Sequence, residues 1–278
     1  MNSGFEHEIK NGTEYLTIPS FTKTGVVKGL FTTRRGGYSK GELKGLNLGF
    51  NRGDEPQNVE KNFDIVADIL GTDKSRFVLS AQTHTDNIRT VTYQDAGRGI
   101  NKKGFENVDG LVTDCKGITL VTFYADCVPL FFLDPKRRVI GLAHSGWKGT
   151  EKRIGEKMID KMMHEYGCRP YDILCAIGPS AGVCCYEVSD DVAMRLMRTG
   201  NSGDCVRYNP ETKKLHADLW RINYNILISA GIPDDNITLA GECTICNPSL
   251  YFSARVQGDA RGSLGAFLCL TEERRRSW

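Results

Sequence analysis

The chain has 278 residues, of which 40% are apolar and 25% are charged, a composition ordinary for a globular protein with an ample core. The 36 basic and 34 acidic residues leave a formal net charge of +2, which excludes the strongly basic surface of a nucleic-acid-binding protein. A core of this size needs no disulfides, so we expect the ten cysteines to be thiols or metal ligands.

Neither end of the chain predicts a membrane or nucleic-acid partner. The first residues lack the basic-then-apolar pattern of a signal peptide, and no apolar stretch approaches the roughly 18 residues of a membrane span. The three arginines at 274–276 are expected to be a solvated end. We therefore expect a cytoplasmic protein.

Strand-like segments dominate the first half of the chain. Segments 118–124 and 128–133 are continuously apolar, which is typical of strands buried on both faces. The Asp-Pro-Lys-Arg sequence at 134–137 predicts a turn before a strand at 138–144, because proline presets φ for a turn position. The other predicted strands cover residues 25–33, 88–93 and 108–113.

Four segments show apolar residues at helical spacing: 58–70, 151–166, 189–198 and 215–230. Gly71, Gly167 and Gly231 follow three of them, where C-terminal caps are expected. No linker, repeat or low-complexity tract divides the sequence, so we interpret residues 1–278 as one domain. Many strands with scattered helices indicate the α+β class.

A candidate metal site involves Cys127 and His144. Cys127 lies at the junction of two apolar strands and His144 ends the next strand, so their side chains are expected to meet at neighbouring strand ends. His84 is a third candidate ligand. One thiolate and two imidazoles would leave one zinc coordination position open, as in catalytic sites. From spacing alone, a buried cysteine and a core histidine remain the alternative.

Four further cysteines occur as two pairs. Cys243 and Cys246 form a single CxxC, half of a zinc ribbon, for which two half-buried thiols near a turn are the expected state. Cys184 and Cys185 are adjacent, which makes a disulfide between them strained.

Several polar residues are candidates for substrate binding. Arg34 ends a predicted strand and could anchor a phosphate or carboxylate through its planar guanidinium, or be solvated there. Asn47 offers an amide among apolar residues, for base or ribose recognition or for a turn. Trp147 and Lys148, close to His144, could stack a ring and supply a charge.

Several common catalytic motifs are absent from the sequence. It contains no GxxxxGK[ST] phosphate loop, no GxGxxG, no HExxH and no Gly-x-Ser-x-Gly nucleophile elbow. The five histidines include no HxH pair and are too few for a multicopper site, where imidazoles hold several ions.

With these motifs the chain resembles the bacterial YfiH-type proteins, the purine nucleoside phosphorylase group also labelled laccase-domain proteins or multicopper polyphenol oxidases. The resemblance extends, in order, from about residue 25 to about residue 270. The matching segments are 32–37, 46–49, 82–84, 125–130, 144–149, 177–179, 184–188, 218–220 and 251–255. One difference follows Arg255, where the family usually continues Arg-Asp-Gly and this chain reads Val-Gln-Gly.

The resemblance implies a zinc site made by His84, Cys127 and His144, with copper as the alternative metal. It implies a single layered domain with a mixed, largely antiparallel sheet and flanking helices. It also implies phosphorolysis of adenosine, inosine and methylthioadenosine, with adenosine deamination as a second activity. The expected partners are then a purine nucleoside and phosphate, and the expected assembly is a monomer or homodimer.

In the phosphorolysis hypothesis, Arg34 or Arg255 holds the phosphate that attacks the ribose. Asp126 or the metal polarises the departing base, although Asp126 could instead orient a metal ligand. Three other hypotheses remain at this stage. One is a cysteine hydrolase with Cys127 as nucleophile and His144 as base. Another is an interaction protein in which the zinc is structural and has a fourth protein ligand. The last is a copper-dependent polyphenol oxidase, which the low histidine count disfavours.

Overall fold

The computed structural model of the chain describes residues 2–199 and 203–271, so the arginines at 274–276 lie outside the described residues. The strands are, in chain order, β1 (Asn2–Ser3), β2 (Glu6–Lys10), β3 (Thr13–Thr17), β4 (Val27–Thr32), β5 (Phe77–Leu79), β6 (Ile88–Thr90), β7 (Gly110–Thr113), β8 (Thr119–Tyr124), β9 (Val128–Asp134), β10 (Val139–Ser145), β11 (Leu174–Ile177), β12 (Glu187–Val188), β13 (Val206–Asn209), β14 (Lys214–Ala217), β15 (Ile237–Leu239) and β16 (Leu264–Leu270). The helices are α1 (Pro19–Thr22), α2 (Pro56–Leu70), α3 (Trp147–Glu151), α4 (Ile154–Tyr166), α5 (Asp190–Met197), α6 (Leu219–Ser229) and α7 (Ala254–Gln257).

Two large sheets dominate the described part of the chain. One has the strand order β1-β15-β11-β9-β10-β7-β6, and the other has the order β2-β3-β4-β16-β8-β5. A small sheet, β12-β14-β13, lies apart from them. Both large sheets are mixed: β5 pairs parallel with β8 and β6 parallel with β7, whereas the central β9–β10 and β16–β8 pairs are antiparallel. The predicted α+β class with a mixed sheet is confirmed, although the strands form several sheets.

Side chains on the two faces of the central strands build separate parts of the core. Along β9, Phe131 and Leu133 join a cluster with side chains of the second large sheet, such as Leu268. Leu130 and Phe132, which alternate with them along β9, pack instead against α4 and α6. A third cluster of apolar side chains joins α2 to the opposite face of the second large sheet. The layers are therefore helix, sheet, sheet and helix, which explains why the central strands are continuously apolar.

The structure corrects three element boundaries. The predicted helix 151–166 begins only at Ile154, where α4 starts, because Arg153 before it adopts a left-handed conformation with φ of 57°; Glu151 is the last residue of the separate helix α3. The predicted helix 215–230 starts only at Leu219, since the preceding residues form β14 and the Asp218 side chain caps α6. The predicted strand 88–93 ends at Thr90.

Other local predictions are confirmed. The 134–137 turn joins the antiparallel strands β9 and β10. Gly71 and Gly167 cap α2 and α4 in the left-handed conformation. Among the described residues, none of the helices has the length and apolar character needed to cross a membrane.

Candidate metal centre

The predicted cysteine ligand lies where the chain passes from one large sheet to the other. Residues 125–127 connect β8 of one sheet to β9 of the other, and Asp126 turns the backbone with φ of 83°. The Asp126 carboxylate accepts hydrogen bonds from Thr244 Oγ1 at 2.6 Å, Ser253 Oγ at 2.9 Å and the Arg255 backbone N–H at 2.8 Å. These three bonds fix the turn that presents Cys127.

The structure brings all three predicted ligands together. His144 is on β10, beside the start of β9, and His84 is on the loop from β5 to β6, which also crosses between the sheets. Their ligand atoms and Cys127 Sγ all lie within 4.8 Å of one another, with Cys127 Sγ 3.9 Å from His84 Nε2. A sulfur and a nitrogen this far apart can both reach one zinc ion, at about 2.3 and about 2.0 Å.

A glycine makes this close approach feasible. A Cβ atom on Gly146 would lie 3.0 Å from Cys127 Sγ and 3.2 Å from His84 Cδ2, too close for ordinary packing. The donor set and the space around it therefore fit a bound metal ion.

Asp109, which the sequence analysis missed, organises both histidines. Its buried carboxylate accepts a hydrogen bond from His144 Nδ1 at 2.8 Å and from the His84 backbone N–H at 3.1 Å. It also accepts from the backbone N–H of Thr85 at 2.8 Å and from the Thr85 hydroxyl at 2.7 Å. Because Nδ1 of His144 is the donor in this bond, its Nε2 is free to bind an ion.

A signal for Asp109 was present in the sequence. It lies within the apolar segment 108–113, which was predicted as a strand. A carboxylate in a buried strand needs hydrogen-bond or charge partners, because an unpaired buried charge is very costly. Such a residue is therefore worth examining as a functional group.

The charges at the site shift the pKa values of its members. Burial alone would raise the pKa of the Cys127 thiol, but the neighbouring His144 and His84 outweigh burial and lower it to about 6. Burial alone would lower the pKa of His144, but Cys127 and Asp109 outweigh it and raise the value to about 9. Burial alone would raise the pKa of Asp109, but hydrogen bonds from His144 and Thr85 lower it to about 2. Without metal, the site is therefore a thiolate–imidazolium pair near neutral pH.

In metal-free protein, alkylation of Cys127 by iodoacetamide should rise with pH around an apparent pKa of about 6, because the thiolate is the reactive form. Quantifying the alkylated peptide by mass spectrometry at a series of pH values measures this. Alkylation of Cys115, a partly buried thiol that belongs to neither group of metal-competent side chains, is the internal comparison. An apparent pKa for Cys127 at or above the usual thiol value of about 8.5 would contradict the thiolate–imidazolium pair.

A cavity of about 710 Å³ opens beside the three ligands, a size suited to a small organic ligand. Two arginines that the sequence analysis did not select, Arg52 and Arg261, are part of its lining. Burial, and then the positive charge of Arg261, lowers the pKa of Arg52, so the two guanidinium groups are close. Arg261 Nε is buried without a hydrogen-bond partner. Two adjacent cations with an unused donor form a favourable place for an anion.

The predicted anion anchors are engaged elsewhere. The Arg34 guanidinium donates to the carbonyls of Pro248 and Lys44 and stacks 4.4 Å from the centre of the Phe252 ring. The Arg255 guanidinium donates to the Glu187 carbonyl. Neither lines the cavity, so the structure does not bring these two residues to the candidate site.

Asn47 is also a structural residue. Its fully buried amide accepts from the backbone N–H of Gly49 and of Ser263 and donates to Asp54. The amide is therefore engaged by neighbouring groups of the protein, and Asn47 does not line the cavity.

The last three predicted residues also lie outside the cavity lining. Trp147 packs against the helical side of the core and stacks with Arg195 at 5.0 Å, and Lys148 is exposed at the start of α3. The Asp126 carboxylate accepts hydrogen bonds from three donors, and through the turn that they fix it helps to position Cys127.

A family model described as "Multi-copper polyphenol oxidoreductase laccase" matches residues 28–271, which include every element of this centre. The chain belongs to this laccase-domain family. The match covers the central strands of both large sheets and the residues that line the cavity, and it begins after β1, β2 and β3.

Three individual proteins illustrate the family. Purine nucleoside phosphorylase YlmD of Bacillus subtilis is 35% identical over 87% of this chain and 88% of the relative. Adenosine deaminase RL5, from an unknown prokaryotic organism, is 33% identical over 82% and 88%. The crystal structure of Bacillus licheniformis hypothetical protein YfiH has a TM-score of 0.89 at 34% identity and covers 95% of this chain and 99% of that one. The predicted YfiH-type fold is thereby confirmed.

Proposed function

We propose that this chain is a zinc-dependent enzyme that phosphorolyses purine nucleosides, with adenosine deamination as a second reaction. The observation that carries the proposal is one cavity that has His84, Cys127 and His144 on one part of its wall and two arginines on another. The names of the relatives, a purine nucleoside phosphorylase and an adenosine deaminase, support this class of substrate.

Arg52 and Arg261 would bind the phosphate. Their charges would neutralise it, and the buried Nε of Arg261 would gain the acceptor that it lacks. An oxygen of the held phosphate would attack C1′ of the ribose while the bond from C1′ to the purine nitrogen breaks. The bonding electrons pass to the purine, and the proton that the phosphate loses ends on the purine nitrogen.

Other residues of the cavity would orient and enclose the nucleoside. Phe105, Phe123 and Tyr124 provide aromatic surface that can stack on a purine and exclude water. Asp109 holds the proton on His144 Nδ1 and so keeps the ligand nitrogen oriented. A bound zinc ion would supply Lewis acidity, which lowers the pKa of water well below its bulk value, the activation that deamination requires.

The test is incubation of metal-analysed protein with adenosine, with and without phosphate, followed by identification of the products. Phosphorolysis is expected to release free adenine and ribose 1-phosphate only when phosphate is present. Inosine formed without phosphate would identify the deaminase reaction. If neither product forms with zinc-loaded protein, the proposal is wrong.

Substitution Arg261→Gln should raise the KM for phosphate about 10- to 100-fold, because a charge-assisted contact worth about 1.5–3 kcal/mol is lost. The KM for adenosine should change little, since the arginine contacts the anion. Arg35→Gln is the matched control, because Arg35 is an exposed arginine that pairs with Glu14 away from the cavity. Steady-state kinetics with varied phosphate measure the effect. Equal kinetic losses in both variants would exclude this phosphate site.

A cysteine hydrolase is the second candidate, and one observation favours it. Asp109, His144 and Cys127 are arranged like an acid–base–nucleophile triad, with the thiol pKa lowered by its neighbours. The third ligand, His84, has no role in such a triad but completes a metal site. If the Cys127→Ser variant loses about one zinc ion per chain together with its activity, the cysteine hydrolase is ruled out.

The arrangement of the histidines argues against a multicopper oxidase. His84 and His144 meet at the cavity, whereas His7 bonds Glu14 and Glu242, and His216 bonds the Val183 carbonyl. The fifth histidine is on α4. A single site with two imidazoles and one thiolate suits one zinc ion better than a copper cluster.

A further inference from the structure

Two cysteine pairs from distant parts of the sequence meet at a place outside the cavity. Cys184 and Cys185 follow β11, and Cys243 and Cys246 follow β15. The four sulfur atoms all lie within 4.8 Å of one another, and we call this group the four-cysteine cluster. Of the two thiols at the CxxC, which were expected to be half-buried, Cys243 is buried and Cys246 is exposed, and both lie against the other cysteine pair.

The distances between the sulfurs suit a shared ion better than a disulfide. Cys246 Sγ lies 3.3 Å from Cys185 Sγ and 3.5 Å from Cys184 Sγ, whereas a disulfide bond is about 2.05 Å long. Four sulfurs around one zinc at about 2.3 Å would be about 3.8 Å apart in a tetrahedron. The observed separations need only small adjustments to reach that arrangement.

The backbone around the cluster is ordered and directs N–H groups at a sulfur. The Gly182 backbone N–H donates to Cys243 Sγ at 3.3 Å, and the N–H groups of Ile245 and Cys246 also point to this sulfur. Such donors stabilise the negative charge of a thiolate that binds a metal. Ser180 forms a bridge with Cys243, which ties the two segments together before any ion binds.

The exposure of the cluster supports an ion rather than simple packing. Cys243 is buried and Cys185 half-buried, but Cys184 and Cys246 are exposed. Adjacent thiols of which two are exposed to solvent would be prone to oxidation, and a metal ion would protect them.

We propose that the four-cysteine cluster is a second metal site, which binds one zinc ion through four thiolates. With four protein ligands it has no open position, so its role is structural. The ion would join the segments 180–186 and 243–246. Thr244 in the second segment donates to Asp126, which fixes the turn before Cys127, so this site would support the catalytic ligand from outside the cavity.

Zinc analysis of the full chain tests the proposal. We expect about two zinc ions per chain in the unaltered protein and one fewer in the double variant Cys184→Ser/Cys246→Ser. The control Cys115→Ser, at a cysteine distant from both sites, should keep both ions. In a Cys127→Ser background, one zinc should remain and should be lost when the two cluster substitutions are added. A zinc content that the cluster substitutions leave unchanged would overturn the proposal.

Cobalt binding gives a second readout that leaves all four cluster cysteines in place. The Cys127→Ser variant, loaded with Co²⁺, should show strong sulfur-to-cobalt charge-transfer absorption and the visible bands of a tetrahedral ion. Only the four-cysteine cluster can supply several thiolates in that variant. Absence of the sulfur absorption, or a disulfide within the cluster found by non-reducing mass spectrometry, would overturn the proposal. If the four-cysteine cluster binds metal but the protein does not act on nucleosides, the proposed function is wrong and the second metal site is still supported.

Discussion

Replacing Cys127 by serine should lower kcat/KM for adenosine by about 10³-fold or more, because a bound metal contributes several kcal/mol to stabilising the transition state. The same variant should lose the zinc bound at the cavity, since a serine hydroxyl is a poor substitute for a thiolate ligand. Zinc analysis and steady-state kinetics on the same preparation measure both effects.

Cys115→Ser is the control for this experiment, because Cys115 is a partly buried thiol that belongs to neither group of metal-competent side chains. It should keep the activity and metal content of the unaltered protein. Full activity in Cys127→Ser would contradict both the metal centre and the cysteine hydrolase. Activity lost without any change in zinc content would favour the hydrolase.

Asp109→Asn should weaken zinc binding at the cavity about 10- to 100-fold, the usual effect of removing a carboxylate that orients a histidine ligand. It should also lower the free energy of unfolding by about 3–5 kcal/mol, because an amide cannot accept all the hydrogen bonds that the buried carboxylate accepts. Chelator competition and urea denaturation measure the two effects.

The pH dependence provides an independent readout for Asp109. The carboxyl pKa of Asp109 is lowered to about 2 in the folded protein, whereas it is about 3.9 in an unfolded chain. The ionised carboxylate therefore contributes fully to the free energy of unfolding above a pH of about 3.9. That contribution is lost as the pH falls toward 2, and the Asn variant should lose less stability over this range. Asp114→Asn, an exposed carboxylate nearby, is the control and should behave like the unaltered protein. Equal zinc affinities in all three proteins would show that Asp109 does not orient His144.

Periodicity and local chemistry predicted most of the elements. The apolar strands β8 and β9, the turn after β9 and the glycine caps of α2 and α4 follow from rules that act over a few residues. The errors came where tertiary contacts override such rules. The pattern predicts a helix start at residues 215–217, but strand pairing with β13 and β12 places these residues in a sheet.

Cys127 and His144 were predictable as a pair because adjacent antiparallel strands bring their ends together. The arginines that line the cavity were not predictable in this way. The position of an arginine in the sequence does not show which groups its long side chain will contact in the folded protein. Arg34 is held by loop carbonyls, whereas Arg52 and Arg261 meet across the cavity from positions more than 200 residues apart.

The sequence by itself therefore determined the α+β class, the candidate metal ligands His84, Cys127 and His144 and the resemblance to the YfiH-type family, because these depend on residue identity, short-range spacing and ordered motifs. Only the tertiary structure decided which carboxylate orients the histidines, which arginines line the cavity and that four cysteines form one cluster. The physical reason is that the chain crosses between two sheets at residues 80–87 and 125–127, and such crossings join distant segments by hydrogen bonds that no local pattern encodes.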